Sequence, residues 1–236
     1  MNRLNILFSL SSLSVILITI ERFSFTTKIL LQPYGFLRLH EMAQMSVLIL
    51  LTVIIPFLLL KEVTQNFESL KTKNGLILGL LFTLGIYFYA TGNGLHEVSS
   101  FNFNTFCNVK KFSGDLCNGF FFNDYYTGNI LYFIGAGLMV TVLMIFEKIK
   151  PNAAYKKKDL LVTLVNAALY AFAIFAYAAF DPVLVGLVYS VLVMLVADIF
   201  FIQIKKGYLK YPVITYTAIT YTIGTIVALI LRSVKM

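Results

Sequence analysis

Two His-Glu dipeptides, His40-Glu41 and His96-Glu97, hold both histidines of this 236-residue chain. Two imidazoles with one or two carboxylates suffice for a zinc or iron site that keeps a position open for water or substrate. In that reading His40, His96 and Asp124 are the ligands, and Glu41 or Glu97 is the general base on a metal-bound water. Neighbouring residues on a helix point about 100° apart, so each dipeptide turns only one member inward. His40 shares a helical face with Gln44, and Asn93 shares one with Glu97. A plainer reading stands beside this one. The same residues cap helix ends in the wet head-group region, where charge is cheap, with Arg38 and His96 as ion-pair partners for a buried carboxylate. The H-E-x-x-H, G-x-S-x-G and phosphate-loop glycine patterns are absent.

The elements that must position these residues are membrane spans. A chain that is 59% hydrophobic and 13% charged, with a mean hydropathy of +0.83, is too apolar for a soluble domain. A bilayer core about 30 Å thick takes roughly 20 apolar helical residues per crossing. Apolar stretches at 5–20, 42–60, 75–95, 126–146, 160–180, 183–204 and 212–231 predict an all-α, polytopic transmembrane bundle of about seven helices. An amphipathic approach over 29–39 precedes the second. The whole chain, 1–236, reads as a single transmembrane domain. Arg3 before a short apolar run resembles a signal peptide, but no small-x-small site precedes Glu21-Arg22, so the run reads as a retained anchor. Cleavage would leave six helices.

The basic residues are sorted by side. Arg3, Lys61, Lys71, Lys73, Lys148, Lys150, Lys156, Lys157, Lys158, Lys205, Lys206 and Lys210 fall in one set of alternate connections. Arg22, Lys28, Arg38, Lys110, Lys111, Arg232 and Lys235 fall in the other. The bias predicts a cytoplasmic N-terminus, a C-terminus outside, and an extracytoplasmic loop at about 96–125. The outer side also receives Glu21, His40, Glu41, Glu97, Asp115, Asp124 and Asp181. A net charge of +8 confined to short loops points to anionic lipid head groups and not to nucleic acid.

The long outer loop contains both cysteines, Cys107 and Cys117. In an oxidising compartment they form a disulfide contributing about 2–3 kcal/mol; the alternative is two free thiols. Phe and Tyr crowd the same region, as an interfacial belt or as a lid over the His/Glu cluster. Deeper polar residues are few. Asn166, Tyr170 and Tyr177 lie near one face of the fifth helix, with Ala167, Ala171, Ala178 and Ala179 permitting close approach. Thr217, Tyr221 and Thr225 form a stripe in the seventh. Gly75, Gly79, Gly128, Gly135 and Gly137 allow tight crossings in the third and fourth. Asp198, near the cytoplasmic end of the sixth helix, is an intramembrane acid with Lys205 or Lys206 as snorkelling partners.

Seven-helix metal hydrolases of the ceramidase and adiponectin-receptor type use three zinc-ligating histidines with a separate Ser and Asp, which a chain with two histidines does not match. Retinal proteins are excluded by the lack of an intramembrane Lys in the seventh helix. Three classes stay open. The first is a membrane enzyme with an outer metal or acid/base site acting on a lipid-like substrate. The second is a proton-coupled carrier whose path runs from the outer acids through Asn166 and Tyr170 to Asp198. The third is a structural subunit of a membrane complex.

Overall fold

In a bilayer every backbone N–H and C=O must be satisfied within its own segment, which leaves the helix as the economical form for these apolar stretches. The computed structural model, which describes residues 3–151, 155–205 and 207–235, has seven helices long and apolar enough to cross a membrane. They are α1 (Arg3–Glu21), α2 (Leu39–Val63), α3 (Lys73–Phe106), α4 (Asp115–Ile149), α5 (Lys157–Phe180), α6 (Val185–Gln203) and α7 (Pro212–Lys235). Leu13, Leu50, Leu80, Phe172, Leu192 and Ile230 are exposed on the outside of the bundle, as expected of a chain whose solvent is lipid. Among the described residues no strand is present, only an isolated bridge between Leu30 and Arg38.

Successive helices alternate in direction, and their ends meet at two faces. At the Lys-rich face Arg3 pairs with Glu62 at 3.1 Å, Asn5 Nδ2 donates to the Asp159 carbonyl at 3.0 Å, and Lys148 Nζ donates to Gln203. Glu147, fully buried, accepts from the Val213 and Ile214 amides at 2.9 and 2.8 Å. Pro212 opens α7 without an N–H to satisfy, and the carboxylate takes the next two at the positive end of that helix. The opposite face gathers Glu21, His40, His96 and Asp124. There Arg232 donates to the Ala178 and Asp181 carbonyls, both at 2.7 Å, and closes the C-terminal end of α5.

Two crossings bring backbones into contact. On α3 and α4, Gly85 and Gly92 face Gly135 and Gly128. A Cβ on Gly92 would stand 2.2 Å from the Tyr132 amide nitrogen, and one on Gly135 would stand 2.3 Å from that of Tyr89. A Cβ on Gly128 would reach the His96 nitrogen at 2.9 Å. Of the expected small residues, Gly128 and Gly135 are in this seam. Gly75 abuts the turn before its own helix, at Ser69, and Gly137 meets only the Tyr189 ring at 3.6 Å. The second crossing sets Gly224 of α7 against Ala171 and Ile174 of α5, with Ala167, Ala171, Ala178 and Ala179 buried.

The segment expected as an extracytoplasmic loop at about 96–125 is largely helical in its backbone. α3 runs on to Phe106, and α4 is already formed at Asp115. Hydropathy marks where a helix leaves lipid, whereas the backbone continues wherever side chains pack. Here Phe103 packs on Phe112, Phe121 and Tyr125 with ring centroids 5.0, 5.7 and 6.5 Å apart. Cys107 and Cys117 are joined across the turn. The approach over 29–39 is no helix. It doubles back through the Leu30–Arg38 bridge, with Leu31 N–H bonded to the Leu37 carbonyl at 2.8 Å. Arg38 then starts α2 as its cap, and its guanidinium holds Glu41 in the first turn.

Candidate functional site

Two histidine-centred arms meet at the face opposite the lysines. In the first, Glu21 at the end of α1 accepts from Gln44 Nε2 at 2.7 Å and lies 2.6 Å from His40 Nδ1. The other ring nitrogen, Nε2, lies 3.9 Å from Glu97 Oε2, an ion-pair separation beyond hydrogen-bond length. Glu97 Oε1 in turn stands 3.8 Å from the Arg22 guanidinium. In the second arm, His96 Nδ1 lies 2.7 Å from Asp124 Oδ1 and 3.1 Å from the Asp124 carbonyl. Ionised carboxylates and carbonyls only accept, so Nδ1 carries the proton and Nε2 is left to exchange one.

Local backbone irregularity aims both arms. Residues 44–48 of α2 and 123–128 of α4 form π-helical turns, which re-phase the side chains around them. Gln44 lies in the first and Asp124 in the second. The glycine seam holds α3 and α4 close enough for His96, one turn beyond Gly92, to reach Asp124, one turn before Gly128.

Below the arms lies a cavity of about 650 Å³. This is within the size range of sites for small lipophilic ligands. Its mouth is lined by Arg22, Gln44, Asn93, His96, Asn129 and Asp181, and its inner end by Phe8, Leu59, Leu143 and Val213. Gln44 and Leu59 on α2 are fifteen residues apart, about 22 Å along a helix, so the cavity is long and narrow. Tyrosines 89, 132, 170, 177, 189, 216 and 221 line it between these ends. They come from five helices and make up half of the chain's 14. Tyr89 pairs with Tyr132 at 3.1 Å and Tyr189 with Tyr221 at 2.6 Å, hydroxyl to hydroxyl. Asn93 Nδ2 and the hydroxyls of Tyr177 and Tyr216 are buried without a hydrogen-bond partner among the described residues.

The residues singled out from sequence are distributed unevenly around this cavity. His96 lines it and Asp124 backs His96, while His40 and Glu97 belong to the adjoining arm. Among the described residues no three of His, Cys, Asp and Glu converge as a metal would require. Glu41 is engaged by Arg38 at the start of α2, under the Arg38–Phe101 stack at 5.7 Å. Tyr170 lines the cavity, whereas Asn166 and Asp198 are not among its walls. Asn166 binds Ser9 at 3.0 Å in the α1–α5 seam, and Asp198 accepts from Thr222 at 2.9 Å. Lys206, one partner expected for Asp198, lies outside the described residues. Sequence reading gives no role to Glu21, Arg22 and Asp181, because charges at span ends read as markers of the membrane boundary. Asn93 and Gln44 carry a signal through their i, i+4 relation to the dipeptides.

Asp181, just past the end of α5, lines the mouth. Burial raises its carboxyl pKa above the usual aspartate value of 3.8, against the opposing pull of His96, Arg22 and Arg232. A carboxyl raised on folding binds its proton more tightly in the folded chain. Stability therefore falls as pH rises through the raised value, and the ionised group is a cost at neutral pH. Asp181→Asn is expected to raise the Tm at neutral pH, with the gain fading on acidification towards 3.8. Circular-dichroism melts of detergent-solubilised protein across this range measure it. A variant less stable at every pH would refute the assignment.

No protein-family model matches this chain, and no curated protein or solved structure does either.

Proposed function

We propose that this chain is a membrane-embedded enzyme that holds a lipid-like molecule in the central cavity and transfers a proton at its polar end. The observation that carries this reading is continuity. His96, whose Nδ1 is hydrogen-bonded to the Asp124 carbonyl at 3.1 Å and lies 2.7 Å from the Asp124 carboxylate, lines the same cavity whose walls run some fifteen helical residues into the bundle. His96 is the acid/base group, and Asp124 is its positioning residue. Each histidine is committed to a different carboxylate, which suits proton transfer better than a zinc or iron ion shared by His40, His96 and Asp124. Glu21, His40 and Glu97 supply a neighbouring chain of titratable groups through which a proton reaches the surface. The carrier reading has less support, because the cavity has an apolar inner end and reaches neither Asn166 nor Asp198. The bias of Lys and Arg among the loops supports a site on the outer side, with Lys148, Lys150 and Lys156–Lys158 against anionic head groups at the cytoplasmic face.

The substrate need not be identified beforehand for the test. Protein purified in mild detergent is extracted, and its hydrophobic ligand is identified by mass spectrometry. The ligand is then returned to fresh protein in D2O. It is expected to copurify with wild type, to fall about tenfold in Ala136→Trp, which fills the cavity at a wall residue, and to come back changed in mass or isotopic content. A tenfold drop corresponds to about 1.4 kcal/mol of lost binding. Equal ligand in the filled variant would remove the cavity from the reading. A ligand returned unchanged would make the chain a binder and not an enzyme.

A further inference from the structure

Hydrogen bonds join α1 to α5 along the Lys-rich half of their seam. The two helices run in the same direction. Asn5 Nδ2 donates to the Asp159 carbonyl at 3.0 Å, and Asn5 Oδ1 accepts from the Thr163 hydroxyl at 2.9 Å. Ser12 donates to the Asn166 carbonyl at 3.1 Å, and Asn166 Nδ2 donates to Ser9 at 3.0 Å. Beyond this contact each helix is drawn to a different neighbour. Gln44 of α2 donates to the Ile18 carbonyl at 3.3 Å and to Glu21 at 2.7 Å, which ties the end of α1 to α2. α5 is held to α7, by Gly224 set against Ala171 and Ile174 and by Arg232 on the Ala178 and Asp181 carbonyls.

A residue seven positions on returns to the same face of a helix, about 10 Å further along. Thr19 therefore stands above Ser12 on the side of α1 that meets α5, and Ala173 stands above Asn166 on the side of α5 that meets α1. A closed seam would bury both. Instead both line the cavity, with Thr19 exposed and Ala173 half-buried. Val15 and Ile18 of α1 and Ala176 and Tyr177 of α5 line it beside them. The cavity thus opens sideways between these two helices. Leu13, Ile16 and Leu17 of α1 and Leu169 and Phe172 of α5 are exposed around the opening, a surface suited to lipid chains and not to water. The charged residues stand above it, Arg22 and Asp181 at the mouth. We infer that this slit is a lateral entrance: one hydrocarbon chain of a bilayer lipid passes between α1 and α5 into the cavity, while its head group stays at the level of Arg22 and Asp181. The inference rests on the lipid-binding reading above and adds the route by which the ligand arrives.

Photo-crosslinking of the full chain in phosphatidylcholine nanodiscs tests the route. Two probes share a 16-carbon chain with a mid-chain diazirine and a terminal alkyne, one a phosphatidylcholine and the other the free alcohol. The phosphatidylcholine probe is expected to label the inner wall at Tyr216 and Tyr221 in the wild type. Thr19→Trp/Ala173→Trp fills the slit from both edges and is expected to lower that labelling at least about tenfold. Thr19→Trp alone, at an exposed position, should lower it about threefold. Leu17→Trp/Phe172→Trp puts the same bulk on the lipid-facing sides of the two helices and should leave it unchanged. Circular dichroism verifies that each variant is folded. Undiminished wall labelling by the phosphatidylcholine probe in folded slit-filled variants would overturn the lateral entrance and leave the lipid-binding reading standing. Wall labelling by the alcohol but not by the phosphatidylcholine would do the same. Wall labelling by neither probe would overturn the lipid-binding reading itself.

Discussion

Gly135→Ala is expected to cost the protein most of its folded yield, although it adds a single methyl group. The new carbon would lie 2.3 Å from the Tyr89 nitrogen and 2.5 Å from the Gly85 carbonyl oxygen. Unstrained contacts between such atoms are about 3.5 Å or more. Both obstacles are backbone, so no side chain can swing away and the helices must separate by an ångström or so. Overpacking of a core costs typically about 1–3 kcal/mol, and a rigid backbone obstacle puts this case at or above the upper end. Gly92→Ala faces the same geometry from the other helix. Gly94 supplies an internal control on α3, because a Cβ there meets nothing within 4 Å. Gly94→Ala should be neutral or stabilising by up to about 1 kcal/mol, through helix propensity alone. Size-exclusion yield and melting temperature in one detergent measure all three. If Gly135→Ala matches Gly94→Ala, the α3–α4 seam is not as close as described.

That seam shows how far the sequence could be read. The seven spans and their alternation follow from hydropathy and from the bias of lysines towards one set of alternate connections, because the bilayer acts on each span separately. Gly128 and Gly135 are legible as packing residues for the same local reason. Their partners, Gly85 and Gly92, share the seven-residue spacing, but nothing in one chain says which helix meets which. The pairing of His40 with Glu21 is hidden for a related reason. They are nineteen positions apart, the chain between them doubles back at the surface, and a closing distance of 2.6 Å is a property of that turn and not of either helix. The cavity is the least legible feature. Its tyrosines lie on five helices, mostly one or two per helix, and a Tyr among apolar residues reads as interfacial or core until the helices are assembled. The segment 96–125 differs again: its helical ends are held by aromatic packing, which hydropathy does not register.

The seam also sets the terms of the second large effect, because it holds His96 against Asp124. His96→Gln is expected to lower turnover of the copurified ligand by a factor of about 10²–10⁴, the usual contribution of a positioned acid/base group. Bound ligand should stay near the wild-type amount, since His96 is only one of many lining residues. Asp124→Asn retains the volume of the carboxyl and removes its charge. The main-chain carbonyl still accepts from Nδ1, but the uncharged amide no longer steadies an imidazolium. The loss should fall mainly on kcat, with KM little changed, and the limb of the pH profile belonging to the imidazole should move to lower pH. A purely structural Asp124 would instead lower the melting temperature and leave the pH profile of the surviving activity in place. The same preparations separate proton transfer from metal chemistry. With His96 as the acid/base group, extensive dialysis against a chelator leaves turnover unchanged. Loss of turnover on dialysis, restored by zinc or iron, would return His40, His96 and Asp124 to the role of ligands and require the two arms to close on one another when the ion binds.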